Sequence, residues 1–339
     1  MKKRTLSFFF LLALLLAGCD SAMPDRAASD ASVWAMDTQM DLRLYGDTDG
    51  TVMADLIAIL NELDHKLSAT SADSVLTALN ESGRSDDEEI EFLAEQALKL
   101  WSQTDGALDI TLLPVSRAWG FSTGSYRVVP AAELEALRAQ VGMDKLEVSD
   151  STAPSRAELL LSDGAMLDFG ALAKGWAAER CKARMEQAKL SGILSLGGNI
   201  QTVGTKPDGS DWVVGVQDPD DPGRYVLTLR LTGSKAAVAS GDYQRYFMQD
   251  GVRYCHILDP KTLSPVQGSL RSVTVVTDSG LRADGLSTAL YVLGREAGTE
   301  LWRKLGDFEA IWIEADGSVW ITPGLQDRVA EGAYQVIEA

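Results

Sequence analysis

The amino-acid sequence predicts a mixed α+β (α/β) fold, and three observations predict it. Apolar residues recur at helical spacing through residues 51–68, and further helical patterns cover 87–103, 131–141 and 173–188. Alternating or continuous apolar runs of strand length dominate from residue 193 onward. Crossover helices interrupt these runs, which indicates one domain in which helices and strands share a core.

Tight turns join the strands of two predicted hairpins. One spans residues 245–258 and turns at Asp250-Gly251, and the other spans 309–324 and turns at Asp316-Gly317. The segment ADGLSTALYVLG, residues 283–294, is predicted to start a helix. The sequence has neither the glycine fingerprint of a dinucleotide-binding unit nor a phosphate-binding P-loop, which removes the two commonest nucleotide motifs.

The N-terminus predicts export and lipid anchoring rather than a fold element. Three positive charges precede an apolar run that is too short to span a bilayer as a permanent helix. The run ends at Leu16-Ala17-Gly18-Cys19, which resembles a bacterial lipobox. This implies a lipoprotein signal peptide over residues 1–18 and lipidation of Cys19. The alternative is an ordinary signal peptide with a chance cysteine.

The residues that follow predict where the protein lies and where its folded part begins. Asp20 resembles an inner-membrane retention signal, so we expect a lipid-anchored protein on the periplasmic side of the inner membrane. Small and polar residues up to position 32 predict a flexible tether from 19 to 32, which leaves 33–339 as one large domain. The net charge of −18 argues against nucleic acid as a partner. Whether Cys181 and Cys255 meet is not decided by the sequence.

Two oxygen donors in the 283–294 segment indicate a metal site. Asp284 and Thr288 are four residues apart, so on a helix they lie on one face, one turn apart. Hard oxygen ligands suit Mg²⁺, which takes few protein ligands and keeps water and phosphate around it. Spacing alone favours the alternative, in which Asp284 is a helix cap and Thr288 is a buried helix threonine.

A strand, a glycine turn and a helix are predicted in LDFGALAKGWAAER, residues 167–180. Backbone N–H groups at such a helix start hold phosphate, and Lys174 adds a positive charge there. Asp168 offers a further bond to a ligand. Gly197-Gly198, in SLGGNIQTVG, fits either a close approach to a ligand or a plain turn.

These stretches, in this order, resemble the ApbE family of FAD:protein FMN transferases. The resemblance rests on AMDTQMDLRLYG (35–46), TDGALDITLLPVSRAWGF (104–121), the two glycine motifs above, and the region from ASGDYQRYF (239–247) through CHILDP to residue 294. It implies a single ApbE-type catalytic domain with two lobes, whose strand-rich core is T-fold-like and carries packed helices. It also implies Mg²⁺ as cofactor and FAD as substrate.

The resemblance implies roles for individual residues. Three of them are implied to ligate the metal: Asp284, Thr288 and the backbone carbonyl of Ala171. Eight are implied to contact FAD: Met36, Thr70, Ala107, Leu108, Asp109, Asp168, Lys174 and Leu258. Trp119 and Tyr243 are aromatic candidates for stacking on the flavin ring, with burial in the core as the alternative. Arg245 is a candidate partner for phosphate or a substrate carboxylate.

The chain contains only two histidines, His65 and His256. His256 is predicted to be the catalytic base, because an imidazole accepts a proton near neutral pH. The alternative is a structural histidine bonded to Asp259 or to backbone. We expect FMN to pass from FAD to a threonine (or serine) hydroxyl of an acceptor protein, with release of AMP. The resemblance implies acceptors in membrane redox complexes, of the sodium-pumping NADH:quinone reductase or Rnf type.

Several positions depart from the family pattern, among them LDIT at residues 108–111, where FDPT is usual. Asp37 follows Met36 where a glycine is usual, Thr70 stands where an aromatic residue is common, and Leu263 replaces a glycine in the loop after His256. Two other functions therefore stay open. One is an FAD pyrophosphatase that yields FMN and AMP, and the other is a non-enzymatic periplasmic lipoprotein that binds FAD.

Overall fold

A computed structural model describes residues 28–149 and 158–338 of the chain. The helices are α1 Thr51–Lys66, α2 Val75–Ser82, α3 Glu88–Gln103, α4 Leu113–Trp119, α5 Ala131–Arg138, α6 Ala173–Gln187 and α7 Gly280–Leu305. The strands are β1 Ala28–Ala35, β2 Thr38–Tyr45, β3 Arg84–Ser85, β4 Leu146–Val148, β5 Leu159–Leu161, β6 Ser191–Leu196, β7 Asn199–Val203, β8 Trp212–Gln217, β9 Tyr225–Leu231, β10 Ala236–Gly241, β11 Tyr246–Gln249, β12 Val252–Cys255, β13 Leu258–Asp259, β14 Ser264–Pro265, β15 Leu270–Thr277, β16 Glu309–Glu314, β17 Val319–Ile321, β18 Val329–Gly332 and β19 Gln335–Val336. The four predicted helices and both predicted hairpins are confirmed, and the helix ends move by up to three residues.

One sheet organises the domain. Its nine strands run in the order β1-β2-β6-β7-β10-β15-β16-β17-β19, and all pairs are antiparallel except β17 with β19. Helices α1, α6 and α7 pack on one face over the main apolar core. A smaller sheet, β18-β9-β8, covers strands of the other face through a second apolar cluster. The predicted α+β class is confirmed, with helices and strands sharing one core.

The predicted tether is too long at its C-terminal end. Residues 28–32 already belong to β1, which pairs with β2 from Ala28 opposite Tyr45 to Ala35 opposite Thr38. Arg43 on β2 also forms an ion pair with Asp30, at 2.7 Å. Pairing with β2 orders these small polar residues, whose own composition does not predict a strand. Cys19 and the predicted signal peptide lie outside the described residues.

Helix α7 begins earlier than the sequence predicts. Its N-cap is Ser279, whose side chain accepts a hydrogen bond from the Arg282 N–H. Asp284 therefore lies inside the helix and is not its cap, which removes the structural alternative for that residue. Gly294 takes a non-helical conformation (φ 75°, ψ 175°) and breaks the helix where the 283–294 motif ends. No helix of the described ranges is both long and apolar enough to cross a bilayer.

Candidate active site

Helices α6 and α7 cross so closely that only glycine fits at the contact. A Cβ atom on Gly175 would lie 2.3 Å from the Gly280 carbonyl oxygen and 2.7 Å from the Asp284 Cβ. Because of this approach, the Gly175 N–H donates a 2.7 Å hydrogen bond to Asp284 Oδ2. The two motifs around residues 171 and 284 therefore meet through backbone as well as side chains.

This contact satisfies a free donor in the first turn of α6. Gly175 is the third residue of the helix, where a backbone N–H has no acceptor within the helix. Asp284 accepts this N–H, and the Ala171 carbonyl, which precedes the N-cap Leu172, receives no backbone hydrogen bond among the described residues. The Ala171 carbonyl and the Asp284 carboxylate are both hard oxygen donors of the kind that bind Mg²⁺.

Asp284 is almost fully buried, with 3% of its surface exposed. Burial raises the pKa of its carboxyl group, while the charge of Lys174 and the Gly175 hydrogen bond act in the opposite direction. A buried carboxylate with only this partial compensation has a strong preference for an added positive charge.

Thr288 follows one turn along α7 and is half-buried. Its hydroxyl lies 3.4 Å from the Ser240 hydroxyl on β10, which also contacts Ser287 at 2.8 Å. No group of three His, Cys, Asp or Glu side chains that could hold a metal occurs in the described part of the chain. The donors present are one carboxylate, one hydroxyl and one carbonyl, a set that fits Mg²⁺ with water and phosphate completing its shell.

Asn199 is a residue of this site that sequence reasoning missed. It begins β7 directly after the Gly197-Gly198 turn and is 1% exposed, and its Nδ2 has no hydrogen-bond partner in the described structure. Gln201, on the same face of β7, lies against Gly280. Asn199 is two residues before Gln201 on β7, and Asp284 is one turn after Gly280 on α7. Asn199 therefore lies opposite Asp284. Its amide also helps to lower the pKa of that carboxyl group, without reaching hydrogen-bond geometry.

The Gly197-Gly198 pair forms the two-residue turn between β6 and β7. Both residues have positive φ, 60° and 96°, and Leu196 pairs with Asn199 across the turn. A Cβ on Gly197 would clash with Thr38, so this turn packs on the β1–β2 turn. The pair therefore forms a turn that places Asn199 at the start of β7, and a close approach to a ligand stays a prediction.

His256 lies at the end of the β11–β12 hairpin. Its Nδ1 is 3.2 Å from the Arg245 carbonyl oxygen, which also accepts the His256 backbone N–H at 3.0 Å. A carbonyl only accepts, so Nδ1 carries the proton and Nε2 is the nitrogen with a free lone pair. The structure does not show the alternative bond between His256 and Asp259. The partner is backbone, and it orients the ring.

The surroundings keep His256 neutral. Burial lowers its pKa to about 4, and the charges of Lys174 and Arg245 add to the effect. The charge of Lys174 therefore acts on both His256 and Asp284. The Arg245 guanidinium donates to the Phe121 carbonyl. The guanidinium is thus bonded to backbone, and Arg245 contacts His256 through its carbonyl oxygen.

The loop at residues 104–111 lies beside the loop that follows Leu167. The Asp168 N–H donates to the Ile110 carbonyl at 2.8 Å, and the Asp168 carboxylate accepts from the Gly170 N–H. The predicted FAD contacts Ala107 and Leu108 are buried here, and Leu108 packs against Gly285.

Asp109 is the third predicted contact in this loop. Its carboxylate accepts from the Thr111 N–H and hydroxyl, and burial raises its pKa. The structure thus brings the 107–109, 168–174 and 284–288 segments together, as the proposed site requires.

Other predicted contacts lie at the margins. Met36 occupies the β1–β2 turn with φ 51°, and its N–H donates to Asp64. Thr70 is exposed on the loop after α1, where its N–H and hydroxyl contact the Ser68 hydroxyl. The described contacts do not link Thr70 to His256 or Asp284.

Trp119 is not available for stacking on a ligand. It is buried in a small apolar cluster with Leu258 and Leu263, and its indole N–H donates to the Leu263 carbonyl at 3.0 Å. Leu258, a predicted FAD contact, thus offers backbone rather than a free side chain. Tyr243 is half-buried beside Gly241, close to Ser240.

The cysteine question is answered among the described residues. Cys181 and Cys255 are both free and buried, and burial raises the pKa of each thiol.

An open groove of about 590 Å³ also exists between α1, α3 and α6, lined by Lys66, Glu89, Trp176 and neighbours. It contains none of the predicted site residues.

Comparison with known proteins identifies the family. The ApbE family profile matches residues 36–312, most of the chain. The chain belongs to the ApbE family. Its relatives include proteins named FAD:protein FMN transferase from Vibrio cholerae, 31% identical over 84% of this chain and 86% of the relative, and from Salmonella typhimurium, 31% identical over 92% and 93%. These names confirm the predicted class of enzyme, a transferase.

Solved structures of ApbE proteins have the same fold. The Thermotoga maritima ApbE protein superposes with a TM-score of 0.84 at 26% identity, covering 90% of this chain and all of that one. A Pseudomonas stutzeri flavinyl transferase gives 0.79 at 30% identity, covering 91% and 98%. The ApbE resemblance drawn from the motifs is thereby confirmed.

Proposed function

We propose that this chain transfers FMN from FAD to a threonine (or serine) hydroxyl of an acceptor protein and releases AMP. The observation that carries the proposal is the close contact between α6 and α7, where the Gly175 N–H bonds to the buried Asp284 in the turn that follows Ala171. The charge of Lys174 acts on both Asp284 and His256, which supports placing Lys174 and His256 in the same site. A pyrophosphate and an incoming hydroxyl need such a combination of cation-binding oxygens, a positive charge and a base.

In the proposed reaction the acceptor oxygen attacks the FMN phosphorus of FAD. A new phosphoester bond forms, the bond from that phosphorus to the bridging oxygen breaks, and AMP leaves with that oxygen. His256 Nε2 receives the hydroxyl proton, because Nδ1 is held by the Arg245 carbonyl. Lys174 stabilises negative charge on the phosphates and also keeps the imidazole neutral and ready to accept.

Mg²⁺ is the cofactor in this proposal, held by Asp284, Thr288 and the Ala171 carbonyl. When bound, it would neutralise charge on the pyrophosphate and ease the departure of AMP. The need for Mg²⁺ is supported by the buried, incompletely compensated carboxylate. The chain itself holds these donors in place through the α6–α7 contact at Gly175 and Gly280.

The acceptors we propose are subunits of membrane redox complexes, of the sodium-pumping NADH:quinone reductase or Rnf type. A lipid anchor at Cys19, on the periplasmic side of the inner membrane, would concentrate the enzyme beside such subunits. The support for the anchor is the Leu16-Ala17-Gly18-Cys19 sequence after the apolar run.

One experiment separates this proposal from its alternatives. The protein is incubated with FAD, Mg²⁺ and the soluble domain of a candidate redox subunit, and both AMP release and in-gel flavin fluorescence are followed. A fluorescent acceptor band together with AMP supports the transferase. AMP with free FMN identifies a pyrophosphatase, and bound FAD without either product identifies a binding protein. The same mixture with EDTA tests the cation, since turnover that survives chelation contradicts the Mg²⁺ assignment.

A further inference from the structure

Exposed apolar side chains concentrate around the β11–β12 hairpin. Tyr246, Met248 and Val252 are exposed on the hairpin, and Tyr126 and Val128 are exposed on the neighbouring loop. Tyr126 stacks on the hairpin's Phe247, with ring centroids 5.3 Å apart. Tyr246 and Met248 share one face of the hairpin, whereas Phe247 and Tyr126 lie on the other face. Exposed apolar side chains on an edge strand are typical of a site that contacts another macromolecule.

The backbone of β11 has an open edge. Gln249 and Val252 flank the two-residue turn, and the His256 N–H to Arg245 carbonyl bond continues the same ladder. Hydrogen-bonded pairs alternate in an antiparallel hairpin, so the N–H and C=O groups of Tyr246 and Met248 point away from β12. No other described backbone pairs with them.

The opposite edge of the hairpin is closed. The Gln267 side chain donates to the Arg253 carbonyl at 2.9 Å, and the Val266 N–H donates to the Ile257 carbonyl. Only β11 therefore offers unpaired backbone groups to a partner. Its side chains at Tyr246 and Met248 share one face, where the Arg253 guanidinium lies 4.5 Å from the centre of the Tyr246 ring.

We propose that the acceptor protein binds as an extended segment along the open edge of β11. This rests on the proposed function, which requires an acceptor hydroxyl at His256. The edge is continuous with that site, since Arg245 directly precedes β11 and its carbonyl holds the His256 ring. Strand addition supplies affinity through backbone hydrogen bonds, and Tyr246 and Met248 offer apolar contact to alternate side chains of the segment.

Substitutions at Met248 test the docking edge without touching the reaction centre. Met248→Pro removes the outward N–H, and an edge strand tolerates proline at such a position. Met248→Asp keeps the N–H and places a charge on the apolar face. Val213→Asp is the matched control, because Val213 is an equally exposed apolar residue (57% against 56%) on β8, in the sheet that covers the other face. Thermal unfolding and FAD binding establish that each variant is folded.

The readout is steady-state FMN transfer to the soluble domain of a sodium-pumping NADH:quinone reductase subunit. Met248→Pro should raise KM for this acceptor by about fivefold to tenfold through the lost hydrogen bond, and Met248→Asp by a similar factor through the lost apolar contact. KM for FAD should stay unchanged in both. The Val213→Asp control should behave as wild type. An unchanged acceptor KM in both Met248 variants overturns the docking inference while the transferase stands.

Two further outcomes are distinguishable. A wild-type protein that releases AMP without labelling the acceptor contradicts the proposed function, and the docking inference falls with it. A concentration-dependent dimer that Met248→Asp disrupts, with acceptor KM unchanged, would assign the edge to a second copy of this chain and refute acceptor docking.

Discussion

The neutral state of His256 gives the sharpest physical prediction. With the pKa lowered to about 4, about 97% of the imidazole is neutral at pH 5.5, whereas an unperturbed histidine of pKa 6.5 would be about 9% neutral. Burial is the largest cause, followed by the charge of Lys174. A lowered pKa means that the base stays competent as the pH falls from 7 to 5, and protonates only below that range.

Proton NMR of the metal-free protein measures this directly, because the chain has only two histidines. A His256→Asn variant identifies the His256 imidazole signal by its disappearance. The signal should titrate with a midpoint near 4, and Lys174→Met should move the midpoint upward. Lys182→Met, further along α6, is the control and should leave it in place. A His256 midpoint at or above 6.5 in the unmodified protein would refute the partly buried, positively charged environment.

Other predictions concern the metal site and the loop after His256. Gly175→Ala should loosen the α6–α7 contact, lower the free energy of unfolding by about 1–3 kcal/mol in chemical denaturation, and weaken Mg²⁺ binding in calorimetry. Gly268→Ala is the control, because its added Cβ meets open space, and it should change neither quantity. Asn199→Ala should weaken Mg²⁺ binding by about tenfold in the same calorimetric titration, and unchanged affinity would remove it from the site. Leu263→Gly should relieve left-handed backbone strain of about 1–2 kcal/mol but also delete a fully buried side chain. The free energy of unfolding should fall by about 1–3 kcal/mol, and a gain in stability would contradict this balance.

The departures from the family glycines have a common physical basis. Asp37 and Leu263 stand where glycine is usual, and both take left-handed backbone conformations, with φ of 59° and 56°. Aspartate tolerates this region, so the β1–β2 turn keeps its shape. Leu263 does not favour it, but its side chain is buried and Trp119 holds its carbonyl. The sequence shows that a glycine is replaced, while the compensating burial appears only in the fold.

Periodicity and turn residues predicted the helices and hairpins because those signals are local. Strand β1 was missed because its order comes from pairing with β2, a tertiary effect. The Asp284 and Thr288 pair was readable from i, i+4 spacing, and α7 indeed places both on one face. Asn199, the Ala171 carbonyl and the Gly175 N–H were not predicted from chemistry, since their role depends on how closely α6, α7 and β7 approach.

We propose that FMN moves from FAD to an acceptor hydroxyl at the site formed by Asp284, Lys174 and His256. Mass spectrometry of the acceptor domain, intact and after digestion, measures this transfer after incubation with FAD and Mg²⁺. We expect a mass gain of one FMN less one water on a threonine or serine, with AMP released in equal amount, and no gain with His256→Ala although FAD still binds. An unmodified acceptor alongside free FMN and AMP, or full transfer by His256→Ala, would contradict it.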